Sequence, residues 1–149
     1  MYANFMSKKL TLLSNSQELT ILNTKLSSYK KLIDTDIVSY SKDFELTTAE
    51  QFGDNSLVAA KAFTEILERG GKRIRGALTM LAYEMFGGTD ENVSLVAARA
   101  IEMLQAYVLI IDDIADRSQT RRGGQSDHIM LKNWNKKNNL KDDSLHFGE

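Results

Sequence analysis

Apolar positions recur at helical spacing through most of the chain, and no stretch alternates convincingly with period two. The pattern predicts helices over residues 16–40, 55–69, 72–86 and 91–116, then a shorter amphipathic piece over 128–134. Gly70-Gly71 and Gly87-Gly88 separate the second, third and fourth helices. RRGGQSD reads as loop, KKNNLKDD as a polar connector, and SLHFGE as the start of another helix. Residues 1–45 are less regularly patterned than the rest. The fold class is therefore all-α, which the absence of proline from the whole chain favours. One domain over 1–149 is expected. An apolar pattern opens at residues 144–147 and is cut off at Glu149, so the expectation is an incomplete domain, from a longer protein or a truncated copy.

Composition narrows the chemistry. There is no cysteine, which excludes disulfides, thiolate metal sites and cysteine nucleophiles. The two histidines, His128 and His146, speak against a multi-histidine metal site. A net charge of −1 argues against general nucleic-acid binding. The most apolar segment, 94–115, is interrupted by Arg99, Glu102 and aspartates, and reads as too polar to span a bilayer. The N-terminal stretch carries no secretory pattern, and a cytoplasmic location is expected.

Two charge clusters run against the helix dipole. At 100° per residue, Gln105, Leu109, Asp112 and Asp116 fall within about 60° of one another, with Asp113 on the flank. Asp112 and Asp116 therefore stack one turn apart at a helix C-terminus, where like charges repel and anions are disfavoured. A divalent cation would relieve both penalties, and oxygen-only ligands point to a hard ion such as Mg²⁺. Conversely, ERGGKRIRG places Lys72, Arg73 and Arg75 in the first turn of the third predicted helix, where cations oppose the dipole. Free N–H groups after Gly70-Gly71, together with Lys72 and Arg75, would make a phosphate site. Arg121 and Arg122 offer a further pair. Each cluster alone could be a solvated helix end, Gln105 an ordinary amide, and His128 and Trp134 packing residues. Together, each supplies what the other needs.

GGKRIRG followed by LQAYVLIIDDIADRSQTRRGG resembles the trans-type isoprenyl diphosphate synthases (polyprenyl synthetases), closest in motif to the farnesyl and geranylgeranyl branch. The resemblance covers about residues 55–149 and is weaker over 1–45; HFGE at the end also fits the family pattern. It implies the N-terminal half of an antiparallel helical bundle. It also implies head-to-tail prenyl transfer between an allylic diphosphate and isopentenyl diphosphate, with Mg²⁺ as cofactor. Gly71, Lys72, Arg75, Gln105 and Arg122 would hold the isopentenyl diphosphate. Asp112 and Asp116 would bind Mg²⁺ on the allylic diphosphate, with Asp113 in support. Arg121 would contact that diphosphate, and Lys72 and Arg121 are implied as catalytic. Tyr107 and Val108 would close the chain-length pocket. A homodimer is implied for the full-length form. Gly76 and Gln105 depart from members that carry proline and histidine there. The family's second aspartate-rich motif is not in this chain. The alternative is a non-catalytic helical subunit or pseudoenzyme that binds a partner chain.

Overall fold

A computed structural model describes residues 2–139 and Gly148, with side chains from Ser16 onward. The helix start expected over SLHFGE lies outside the described residues, apart from Gly148. The described residues form α1 (Tyr2–Phe52), α2 (Asp54–Glu68), α3 (Ile74–Met85), α4 (Glu91–Ala115), β1 (Thr120–Arg121), β2 (Gly124–Gln125) and α5 (Asp127–Lys137).

The first helix is far longer than the expected 16–40. No glycine or proline interrupts it until Gly53, which adopts φ 83° and ends it. Its weak patterning reflects exposure on several sides, not loss of helix. One stripe is buried: Tyr29, Ile33, Ile37 and Ser41, each one turn from the next. Ile66 and Leu67 of α2, Ala77 and Met80 of α3, and Ala98 and Ala106 of α4 close the core around that stripe. Fully burying a side chain such as Ile33 is worth about 1.5–3 kcal/mol.

Helix α4 is central, packing on α1, α2, α3 and α5. Its inward stripe is Ser94, Ala98, Glu102, Ala106 and Asp113, whose small members let neighbours approach closely. α1, α3 and α4 come close at Gly76, where an added Cβ would lie 2.9 Å from Ile33 Cδ1 and 3.2 Å from the Ala98 carbonyl. By length and composition alone α4 (25 residues, mean hydropathy 1.6 over an 18-residue window) is long and apolar enough to cross a bilayer, against the expectation drawn from its charged residues. Its Glu102 is instead buried in an ion pair with Arg73, and its packing is that of a bundle's core helix. Asp90 caps its start, accepting from the Asn92 N–H at 2.9 Å.

All-α holds with one exception, since the expected loop RRGGQSD contains a short antiparallel hairpin, pairing Thr120 with Gln125 and Arg121 with Gly124. Its two-residue turn, Arg122-Gly123, has φ of 50° and 80°, as a type I′ turn requires. The turn hides in the sequence because arginine stands where asparagine or glycine is usual. The last described helix, α5, extends past the expected 128–134 in both directions.

Candidate functional site

The two motif segments meet at one end of the bundle. Helix α4 ends there in a Schellman arrangement: the Arg117 N–H donates to the Ile114 carbonyl at 3.2 Å and the Ser118 N–H to the Asp113 carbonyl at 2.9 Å. Asp112 and Asp116 project from this last turn into solvent, one turn apart as expected. Asp113 does not join them. It is fully buried, and its carboxylate accepts from Arg121 Nε at 2.9 and 3.0 Å and again from Nη2. Among the described residues no three histidine, cysteine, aspartate or glutamate side chains converge on a metal position. Asp113, expected in support of a metal at Asp112 and Asp116, is thus placed apart from them, in the core. One residue past Asp112 is 100° around the helix, which turns this carboxylate to the core.

Arg121 is held with it. Its guanidinium is committed to Asp113, which raises its pKa above the ordinary value, while partial burial opposes and the charges of Asp112 and Asp116 assist. It therefore stands beside the acidic stripe as a fixed positive wall, not as a freely reaching ligand.

The GGKR segment also departs from expectation. Helix α3 begins at Ile74, so Lys72 precedes it and Arg73 is its N-cap residue, in the left-handed region at φ 52°. Arg73 turns inward and is almost fully buried. Its Nε donates to Asp34 at 2.9 Å, Nη2 to the Leu67 carbonyl at 2.7 Å, and Nη1 reaches Glu102 at 3.4 Å. Glu102 Oε1 accepts the Gly76 N–H at 2.9 Å, so that donor is not available to an anion. Burial works against ionised Asp34, but bonds from Lys30 and Arg73 outweigh it and hold its pKa below the usual value. Lys72 and Arg75 remain outside, exposed. The sequence reading set Arg73 among the cations of the first turn, took Glu102 only as a polar interruption of the apolar segment, and gave Asp34 no role. An acid on the inward stripe of a core helix was the signal, because such a group requires a buried partner.

Arg122 joins the two segments. Its guanidinium lies over Gly71, where an added Cβ would come 3.3 Å from Nη2. Partial burial first, then the charges of Arg73 and Arg121, pull its pKa below the ordinary value, with Glu102 opposing. Both Arg73 and Arg122 sit at positive φ, a conformation that costs a non-glycine residue roughly 1–2 kcal/mol. Gathered like charge and local strain together suit an anion. Gln105 is half-buried on the same stripe of α4 as Asp112. Tyr107 and Val108 are 56% and 42% exposed, and the described residues do not close a pocket over them.

Comparisons with known proteins bear on the family and the fold. Residues 57–141 match the model of the polyprenyl synthetase family. Geranylfarnesyl diphosphate synthase of Aeropyrum pernix is 36% identical over 92 residues, 61% of this chain and 27% of that protein. Geranylgeranyl pyrophosphate synthase 6, mitochondrial, of Arabidopsis thaliana is 32% identical over 120 residues, 79% of this chain and 34% of that protein. The crystal structure of geranylgeranyl pyrophosphate synthase from Corynebacterium glutamicum, complexed with isoprenyl diphosphate and magnesium, superposes with a TM-score of 0.71 at 29% identity. That superposition covers 83% of this chain and 36% of the other. The chain thus spans between a quarter and two fifths of these relatives' lengths. With its all-α fold and its paired motifs, the chain belongs to the polyprenyl synthetase family.

Proposed function

We propose that this chain carries the substrate-gathering half of a prenyltransferase, one that condenses an allylic diphosphate head-to-tail with isopentenyl diphosphate into a longer polyprenyl diphosphate. The observation that carries the reading is the junction of opposite charges: Asp112 and Asp116 at the end of α4, Lys72 and Arg75 at the start of α3, and Arg122 over Gly71 between them. Lys72, Arg75 and Arg122 hold the diphosphate of isopentenyl diphosphate, with Gly71 allowing close approach and Gln105 beside them. The exposed Asp112 and Asp116 supply hard oxygen donors that fit Mg²⁺, leaving its remaining positions to diphosphate and water. When bound, the ion would neutralise charge on the departing allylic diphosphate. Asp113 holds the Arg121 guanidinium beside that place, where its remaining N–H groups can face an anion. The allylic C–O bond breaks with its electron pair leaving on diphosphate. The double bond of isopentenyl diphosphate then forms the new C–C bond, and a proton is lost. Val108, one turn before Asp112, and its neighbour Tyr107 stand where the growing chain would run.

A direct test is titration of isopentenyl diphosphate into the chain. Binding should weaken at least about tenfold, or roughly 1.4 kcal/mol, in a Lys72→Ala, Arg75→Ala variant. Equal binding would remove the reading. With only one aspartate-rich motif, the chain by itself should give no prenyl product from Mg²⁺ and both substrates; robust turnover would show that one motif suffices.

The exposed apolar residues of α3 and α4 favour a second reading, a non-catalytic subunit that docks on a partner chain. Retained isopentenyl diphosphate binding argues for the first reading, and its absence together with partner binding for the second.

A further inference from the structure

Arg69 belongs to neither cluster, yet it touches both segments that carry them. It follows the last residue of α2 directly and precedes Gly70-Gly71. Its side chain is only 13% exposed. Nη1 donates to the Arg121 carbonyl at 3.0 Å and to the Gln125 carbonyl at 2.6 Å, one on each strand of the hairpin. Nη2 bonds the Glu65 carboxylate, one turn earlier on α2, which fixes the guanidinium in place. The hairpin is shaped to receive it: an added Cβ at Gly124 would stand 2.3 Å from Arg69 Cζ and 2.4 Å from Nη2. A side chain at 124 would therefore have to push the Arg69 guanidinium aside. Lysine could not replace Arg69, since one ammonium lacks the planar fork that reaches two carbonyls and a carboxylate together.

We infer that Arg69 is a positioning residue: it fixes the hairpin over 120–125 against the Gly70-Gly71 turn, so that Arg122 and the GGKR segment form one pre-set diphosphate cradle. This rests on the phosphate-binding reading above. The hairpin has only two residues per strand, and two such strands are marginal unsupported. Released, it would have to be reordered whenever an anion bound, and that ordering would be subtracted from affinity.

The test uses the 149-residue chain and inorganic pyrophosphate, followed by calorimetry. Arg69→Ala should weaken pyrophosphate binding at least about tenfold. Added methylguanidinium should restore much of it, which general destabilisation would not permit. Gly124→Ala keeps Arg69 but displaces its guanidinium from the other side, and should weaken binding comparably. The double variant should be no worse than either single one, because both break the same contact. Hydrogen exchange at the Ser126 N–H, which bonds the Gln119 carbonyl at 3.0 Å, should quicken in both variants while helical circular dichroism is kept. If Arg69→Ala binds within twofold of the unsubstituted chain, or methylguanidinium fails to rescue it, or Gly124→Ala binds normally, Arg69 does not set the cradle. If the unsubstituted chain takes up no pyrophosphate, the phosphate reading fails and the role of Arg69 with it.

Discussion

The loop end of the bundle and the outer face of α3 and α4 are built on opposite principles. At the loop end, charge is buried: Arg73, Glu102 and Asp113 are each at most 5% exposed. On the outer face, apolar surface is open: Ile74, Leu78, Leu104, Tyr107, Val108 and Ile111 are between 42% and 56% exposed, on helices with no neighbour there among the described residues. Within the loop end, each motif divides its work. One member turns inward as an anchor (Arg73, Asp113, Arg121), while its neighbours face outward (Lys72, Arg75, Asp112, Asp116, Arg122). Anchors are what let like charges be gathered at all, since the segments bearing them would otherwise spread apart. The outer face has no such internal compensation, and only another surface can cover it.

The sharpest way to break this contrast lies within two residues of α4. Glu102 pairs with Arg73 and accepts the Gly76 N–H. Glu102→Ala would leave a buried guanidinium and a buried donor without their partner, and should cost about 3–5 kcal/mol in urea denaturation. Leu104, two residues on, is 54% exposed, and Leu104→Ala should shift stability by no more than about 0.5 kcal/mol. Similar costs at the two positions would mean that the inward and outward faces of α4 are misassigned.

The adjacent aspartates allow a second contrast. Asp113→Asn strips the charge from a fully buried partner of Arg121 and should cost about 1.5–3 kcal/mol. Asp112→Asn removes an exposed like charge and should leave folding unchanged or slightly improved. It should, however, reduce the gain in pyrophosphate affinity that Mg²⁺ confers by more than about tenfold, roughly 1.4 kcal/mol. Calorimetry with and without the ion reads this directly. An undiminished gain in Asp112→Asn would remove Asp112 from the metal assignment.

What was legible in the sequence follows the same division. The outward members, Lys72, Arg75, Asp112 and Asp116, could be read from dipole and spacing, because exposure needs no knowledge of the rest of the fold. The anchors could not. Asp113 and Asp112 are identical in type and adjacent, and which one is buried depends on where α4 meets its neighbours. Arg73 leaves the helix through a left-handed φ that nothing in GGKRIRG announces. The helices after Gly53 were legible in outline because glycine pairs punctuate them, whereas α1 was cut short where its pattern weakened, although no breaker was present. The hairpin was invisible because its strands are two residues long and its turn begins with arginine.

Asp127, beside the anchored hairpin, links the loop end to pH. Burial lifts its carboxyl to about 6, Arg69 opposing and Glu65 assisting. In the unfolded chain an aspartate titrates near about 3.9. The folded state therefore holds this proton more tightly, and the group's contribution to stability is full below about pH 4, declines toward about pH 6, and stays low above it. Asp127→Asn keeps the shape and removes the titration. It should stabilise the chain by about 1–2 kcal/mol at pH 7, below the roughly 3 kcal/mol of the full shift because a first-turn anion favours α5 and the group is only partly buried. At pH 4 the two should be nearly equal. Denaturation curves at both values decide; a gain that is the same at both would show that Asp127 is not the titrating group.

The smallest effect on stability belongs to the outer face, where the expected effect is on association. Leu104, Val108 and Ile111 fall on one side of α4, each three or four residues from the next, and are 54%, 42% and 46% exposed. A contiguous apolar stripe of this kind drives association. The chain should self-associate and bind an apolar dye at micromolar concentration. Leu104→Lys with Val108→Lys should interrupt the stripe and shift sedimentation toward monomer, with stability changed by no more than about 0.5 kcal/mol, because neither side chain supports the core. If the double variant associates as strongly as the parent, the driving surface lies elsewhere. The exposed Met85 and Phe86, at the end of α3, would then be the next positions to substitute, since they are 76% and 93% exposed.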